Sequence, residues 1–197
     1  MINENVYRRF NHTAAACFII YFLFPQKILG FERSFFILVF WLTIVGLEYF
    51  RLRNSIKIIG LRDYENQRLA GFVWFATGTC MILYLYEIGM FPQSLAIATI
   101  VMAAYTDPVI GEAKKHYGNY GSFAAGIICS FIIFQLILGS LFYSIIGSFV
   151  AVIAEKPRLK WFDDDLAMQV FPITILTIIS LIEGAPDLSQ TLIEENP

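Results

Sequence analysis

The chain has 197 residues, of which 57% are hydrophobic and 15% charged, and its mean hydropathy is +0.64. That is too apolar for a soluble domain of this length. The net charge of −2 excludes little by itself, because the two signs are spread unevenly along the chain.

Seven apolar runs, at roughly 10–26, 34–50, 69–87, 90–106, 121–138, 140–155 and 166–184, approach the ~20 residues that a spanning helix needs. None alternates with period two, which argues against a β-barrel. The expectation is an all-α, polytopic integral membrane bundle of about seven transmembrane helices, forming one domain over residues 1–197. Arg8 and Arg9 precede the first run. Arg51, Arg53, Lys57, Arg62 and Arg68 follow the second, Lys114 and Lys115 the fourth, and Lys156, Arg158 and Lys160 the sixth. Twelve of the 14 Lys and Arg thus fall in alternate connections, leaving Lys27 and Arg33 for the others. Basic residues are retained on the cytoplasmic face during insertion. The amino terminus and the loops 51–68, 107–120 and 155–165 are therefore expected inside, and the carboxyl terminus outside. Glu32, Glu87, Glu183, Asp187, Glu194 and Glu195 make the outer face acidic.

At the amino terminus, Arg8, Arg9 and His12 stand at the mouth of the first helix, where a histidine can act as acid, base or phosphate donor, or simply anchor the chain. The run behind them has no small-residue cleavage site, so it reads as a retained helix rather than a signal peptide. Cys17, Cys80 and Cys129 are scattered through apolar runs and read as buried thiols.

After the second run, Arg51, Arg53 and Lys57 alternate with Leu52, Ile56, Ile59 and Leu61, the pattern of an interfacial helix held by anionic lipid. Arg62, Asp63, Glu65 and Arg68 follow. Their i,i+3 spacings permit surface pairing, but they abut a helix where charge near hydrocarbon is costly unless used or paired. Short connections at Gly89 and Gly139 predict helical hairpins.

The fourth connection reads TDPVIGEAKKHYGNYGS. Asp107 and Pro108 look like an N-cap and first-turn proline, with Gly118 beyond the helix's carboxyl end. Asp107, Gly111 and Lys114 share one face at i, i+4 and i+7. An acid there can hold Mg²⁺, the glycine lets a ligand approach the backbone, and the lysine supplies charge for phosphate. His116 reads as a surface residue. In the sixth connection, Lys156 and Arg158 precede Asp163, Asp164 and Asp165. One acid suffices to cap the seventh helix; three adjacent acids repel unless a cation or basic partner sits among them.

The order of RRxxH (Arg8, Arg9, His12), ExxR (Glu48, Arg51), LRDYE with RxxGxxW (Leu61–Glu65, Arg68, Gly71, Trp74), DxxxG (Asp107, Gly111) and EKPR with DDDL (Glu155–Arg158, Asp163–Leu166) resembles the CTP-dependent lipid kinases. That family includes dolichol kinase, phytol and other polyprenol kinases, and CTP-dependent diacylglycerol kinase. The resemblance implies transfer of the γ-phosphate of CTP, with Mg²⁺ or another divalent cation, to the hydroxyl of a membrane isoprenoid alcohol at the cytoplasmic face. It implies catalytic roles for Glu65, His12 and Asp107 and metal binding by Asp107, Asp164 and Asp165. Phosphate contacts are implied from Arg9, Arg62, Arg68, Gly111, Lys114, Lys115 and Lys156, with Gly71 and Trp74 along a lipid groove. The expected partners are a lipid alcohol and a nucleotide, with no nucleic acid and with self-association left open. Relatives follow the glycine motif with Lys-Ser or Lys-Thr and then Glu-Gly-Ser. Here only Tyr120-Gly121-Ser122 remains, so phosphate binding falls to Lys114 or Lys115. Asp165 stands where asparagine is common. Two other readings compete: a phosphatidate-cytidylyltransferase-like enzyme making a CDP-lipid, and a non-catalytic lipid-binding membrane protein.

Overall fold

Residues 12–58, 61, 68–155, 163–188 and 192–193 are described by a computed structural model. They are mostly helical. Helix α1 (His12–Leu23) is wound as a 3₁₀ helix from Ala15 to Leu23. A two-residue hairpin, β1 (Lys27–Ile28) and β2 (Phe31–Glu32), leads to α2 (Arg33–Arg53) and α3 (Gly71–Glu87). Then come α4 (Gln93–Leu138), α5 (Leu141–Glu155) and α6 (Asp164–Ser180).

The seven apolar runs fall on these six helices because α4 carries two of them. Its φ/ψ are helical except at Gly118, where φ is 66° and ψ −164°. Only glycine adopts that backbone readily, and the chain reverses there. The two arms, residues 93–117 and 119–138, run side by side: Thr106 Oγ1 lies 3.9 Å from Cys129 Sγ, and a Cβ added to Gly126 would stand 2.7 Å from Ile110 Cγ1. At the far end of the second arm Gly139 is left-handed, and its N–H closes the last turn on the Gln135 carbonyl at 3.0 Å. The hairpins expected at Gly89 and Gly139 are both present.

The expected loop over 107–120 is instead helical through residue 117. Asp107 is consequently not an N-cap, and Pro108 sits inside the helix, where it removes one backbone hydrogen bond. The first arm does not start at Pro108 because the turn before it is packed: Met102, Ala103, Ala104 and Thr106 are all buried. Gly118 does lie beyond the carboxyl end of this arm, as its position suggested.

Three polar ties lock the helices. Gln169 on α6 is wholly buried; its Nε2 donates to the Phe75 carbonyl at 3.0 Å, and its Oε1 accepts from Thr79 Oγ1 at 3.0 Å. Gly78 makes room for it, since a Cβ there would be 2.9 Å from the Gln169 amide carbon. At one end of α2, Arg33 Nε donates to Glu87 Oε1 at 2.7 Å, and Tyr21 Oη donates to the same oxygen at 2.8 Å. At its other end, Arg51 grips Glu48 through two hydrogen bonds of 2.7 Å, and the Ala70 N–H donates to Glu48 Oε1 at 2.8 Å. Arg51 is therefore a buried tie rather than a headgroup contact. Nor does a helix continue along 54–58, where the chain turns through Ser55 at φ 52°. Cys17 is exposed, against the expectation of a buried thiol.

Two helices, α2 and α4, are long and apolar enough to cross a membrane. The outer surface is itself apolar: Leu38, Phe40 and Leu42 on α2 and Ile128, Ile132 and Leu136 on α4 are all exposed.

Candidate active site

His12 opens α1, Asp107 lies on the first arm of α4, and Asp165 falls in the first turn of α6. The fold brings these distant residues to one end of the bundle. His12 Nδ1 stands 3.8 Å from Asp107 Oδ2 and 3.8 Å from Asp165 Oδ1, with all three side chains less than a fifth exposed. Both distances exceed a hydrogen bond, so the groups surround a shared space. One ligand atom from each lies within 4.8 Å of the others. Phe75 of α3 meets the His12 ring edge-on, with centroids 6.0 Å apart, and holds it from behind.

The three consecutive aspartates divide their work. Asp163 caps α6, its Oδ1 accepting from the Asp165 N–H at 3.3 Å, while its Oδ2 accepts from the Arg68 guanidinium at 3.3 Å. Burial first, then the hydrogen bond and charge of Asp164, push its carboxyl up to about 7; the Asp165 N–H and Arg68 oppose the rise. Asp165 points toward His12 and Asp107. Asp164 groups with its two neighbours within 4.8 Å, not with Asp107.

Arg68 is aimed from behind by the tie at the end of α2. Arg51 Nη2 donates to the Arg68 carbonyl at 2.9 Å, so the segment leading into α3 is held while the Arg68 side chain reaches Asp163. Glu48 and Arg51 were legible as an ExxR pair, but their burial and their grip on residues 68 and 70 were not.

Gly111 lies one turn beyond Asp107 on the same helix, and open space would surround a Cβ placed there. Lys114 and Lys115 are exposed further along, where Lys115 Nζ lies 3.9 Å from Glu112 Oε2. His116 is exposed and pairs with Glu112 at 3.1 Å, a surface residue as expected. Gly71 is the buried first residue of α3, and Trp74 is half-buried. Neither lines either of two apolar cavities, of about 500 and 480 Å³, that lie between α2 and α3, one of them also bounded by α1. Arg9, Arg62, Glu65 and Lys156 lie outside the described residues.

Among the described residues, the cluster gathers Asp107, Asp163, Asp164 and Asp165 against His12 and Arg68. A divalent cation placed among them would offset the gathered negative charge. Oxygen donors from Asp107 and Asp165 suit Mg²⁺, which takes few protein carboxylates and completes its shell with water and phosphate. No protein family, curated protein or solved structure matches the chain.

Proposed function

We propose that this chain is an integral membrane phosphotransferase that moves the γ-phosphate of CTP to the hydroxyl of a membrane lipid alcohol. Its seven apolar runs span the bilayer, with the His12–Asp107–Asp165 end at the cytoplasmic face. The reading is carried by the meeting of those three side chains at the end of the bundle where, among the described residues, Arg51 and Arg68 also lie. The exposed apolar surface of α2 and α4 supports lipid as its solvent.

Asp107 and Asp165 would hold Mg²⁺, and Asp164 lies near enough to Asp165 to steady it. Bound there, the cation supplies charge neutralisation for the β- and γ-phosphates, which is most of what phosphoryl transfer requires. Gly111 leaves the backbone open to a phosphate, and Lys114 follows on the same helix as a positive charge. Arg68 adds a second charge from across the site. His12 is a nitrogen donor, less suited to Mg²⁺ than to proton transfer; it orients the lipid hydroxyl and accepts its proton.

The test uses purified protein with Mg²⁺, a panel of lipid alcohols and lipid phosphates, and CTP labelled at the α- or the γ-phosphorus. Label from the γ-position in a lipid alcohol is the expected result. Label from the α-position in a lipid would identify a cytidylyltransferase. No transfer by folded protein, from CTP or from γ-labelled ATP, would leave a non-catalytic lipid-binding protein.

A further inference from the structure

The nitrogen of His12 is the member of the cluster that Mg²⁺ does not explain. A histidine set between two carboxylates as an ion pair would close on one of them at ~2.8 Å, the usual length of a charge-assisted hydrogen bond. Arg33 closes on Glu87 in that way, at 2.7 Å. His12 Nδ1 instead stands 3.8 Å from Asp107 Oδ2 and 3.8 Å from Asp165 Oδ1. Equal separation from two acceptors, too long to bond to either, is how ligands stand around a common ion.

The separation selects the kind of ion. In the octahedral shell of Mg²⁺, bonds of ~2.1 Å place neighbouring donors roughly 3.0 Å apart. Donors 3.8 Å apart meet one ion through bonds of about 2.2 Å at an angle of about 120°, the open geometry of a four- or five-coordinate shell. The donor types agree, because imidazole suits Zn²⁺ whereas Mg²⁺ keeps to oxygen. The neighbouring group of Asp163, Asp164 and Asp165 offers no nitrogen, and its Asp163 is committed to the α6 cap and to Arg68.

The surroundings hold the ligands in place. The Asp165 N–H is bonded to Asp163, and the Asp165 carbonyl accepts from Gln169 Nε2 at 3.2 Å. The same nitrogen donates to the Phe75 carbonyl at 3.0 Å, and the Phe75 ring backs that of His12. One buried glutamine thus fixes the backbone of one ligand and the residue behind another. Supporting contacts of this kind set the affinity and selectivity of metal sites. Asp107 follows directly on the buried Thr106, in a packed turn of α4.

We infer that His12, Asp107 and Asp165 form a Zn²⁺ site and that Zn²⁺ bound there switches the centre off. Such an ion ties up His12 Nδ1 and both carboxylates at once. The imidazole is then lost to proton transfer and the aspartates to Mg²⁺. The switch rests on the phosphotransferase reading; the binding of the ion does not.

The probe is Co²⁺, which takes the same ligands as Zn²⁺ and absorbs visible light strongly only in four- or five-coordinate shells. Added to tag-free, full-length protein in detergent, it should give that absorption, which Zn²⁺ abolishes and millimolar Mg²⁺ does not. His12→Gln should weaken Zn²⁺ binding at least tenfold, since a lost ligand costs no less than the ~10-fold lost with a supporting contact. Asp165→Asn serves if the first variant fails to fold, and His116→Gln, on the surface, should bind as wild type. With Mg²⁺ in excess, Zn²⁺ should lower γ-phosphate transfer at least tenfold, and a zinc chelator should restore it. No absorption, the weak absorption of octahedral Co²⁺, or undiminished Zn²⁺ affinity in the folded variant would overturn the site. Zn²⁺ bound through His12 with transfer unchanged would overturn the switch. Binding as expected by a wild type that transfers no phosphate without Zn²⁺ would overturn the phosphotransferase reading and leave the site standing.

Discussion

Where α3 turns into α4, Arg33 and Glu87 lie 2.7 Å apart and Tyr21 completes the carboxylate's bonding. Where α6 begins, His12 stands 3.8 Å from each of two aspartates, with two more aspartates beside them. Both clusters join residues from separate helices, and both are largely buried. One is closed: equal and opposite charges at hydrogen-bonding distance leave nothing for a ligand to add. The other holds its groups apart and, among the described residues, gathers four carboxylates around His12 and Arg68. Burial and charge alone do not mark a site; distance and balance separate the tie from the candidate centre.

The largest effect should come from the open cluster. Asp107→Asn is expected to lower γ-phosphate transfer by at least ~100-fold, the scale for removing one electrostatic partner of a transition state, while thermal unfolding in detergent stays close to wild type. A folded, fully active variant would end the metal assignment. Glu87→Gln should do the reverse. It leaves a buried guanidinium short of its counter-charge and lowers stability by about 3 kcal/mol, yet the rate of γ-phosphate transfer per folded molecule should not change. A fall in that rate would erase the division between the two ends.

A smaller effect concerns Asp163, whose carboxyl is raised to about 7. An unfolded aspartate titrates near ~3.9, so between those values the folded protein binds more protons than the unfolded chain. Stability of the metal-free protein should therefore fall as pH rises from about 4 to about 7, then level off. Melting curves in EDTA should show this slope, and Asp163→Asn should flatten it. Smallest of all, His116→Ala at the exposed tip of the first arm should shift stability by less than ~0.5 kcal/mol and leave transfer unchanged, which sets the baseline for a titratable residue outside the centre.

Much of this was legible because hydropathy and charge act over long stretches. Alternating basic connections placed His12, Asp107 and the late aspartates at the same end, and the period of the helix put Asp107 and Gly111 on one face. Local signals misled where packing decides. Asp107–Pro108 carries a good helix start, but the preceding turns are buried and the helix runs straight through. Arg51 has the spacing of a lipid anchor, yet the i,i+3 glutamate and the backbone of residues 68–70 draw it inward. Among Asp163, Asp164 and Asp165 no sequence feature separates the cap from the carboxylate that faces His12; only the direction of the α6 axis does.

The reversal at Gly118 bears on depth. Asp107 is 14 residues beyond Gln93, the first residue of α4, a rise of about 21 Å at ~1.5 Å per residue. A bilayer's hydrocarbon core is ~30 Å thick. With Gln93 at the outer boundary, the carboxylate stops several ångströms short of the inner one, and the remaining turns up to Gly118 rise past it as a polar helical parapet. On the proposed reading, the lipid hydroxyl would then stay at its own level in the leaflet, and the nucleotide would have to reach down, shedding water as it goes.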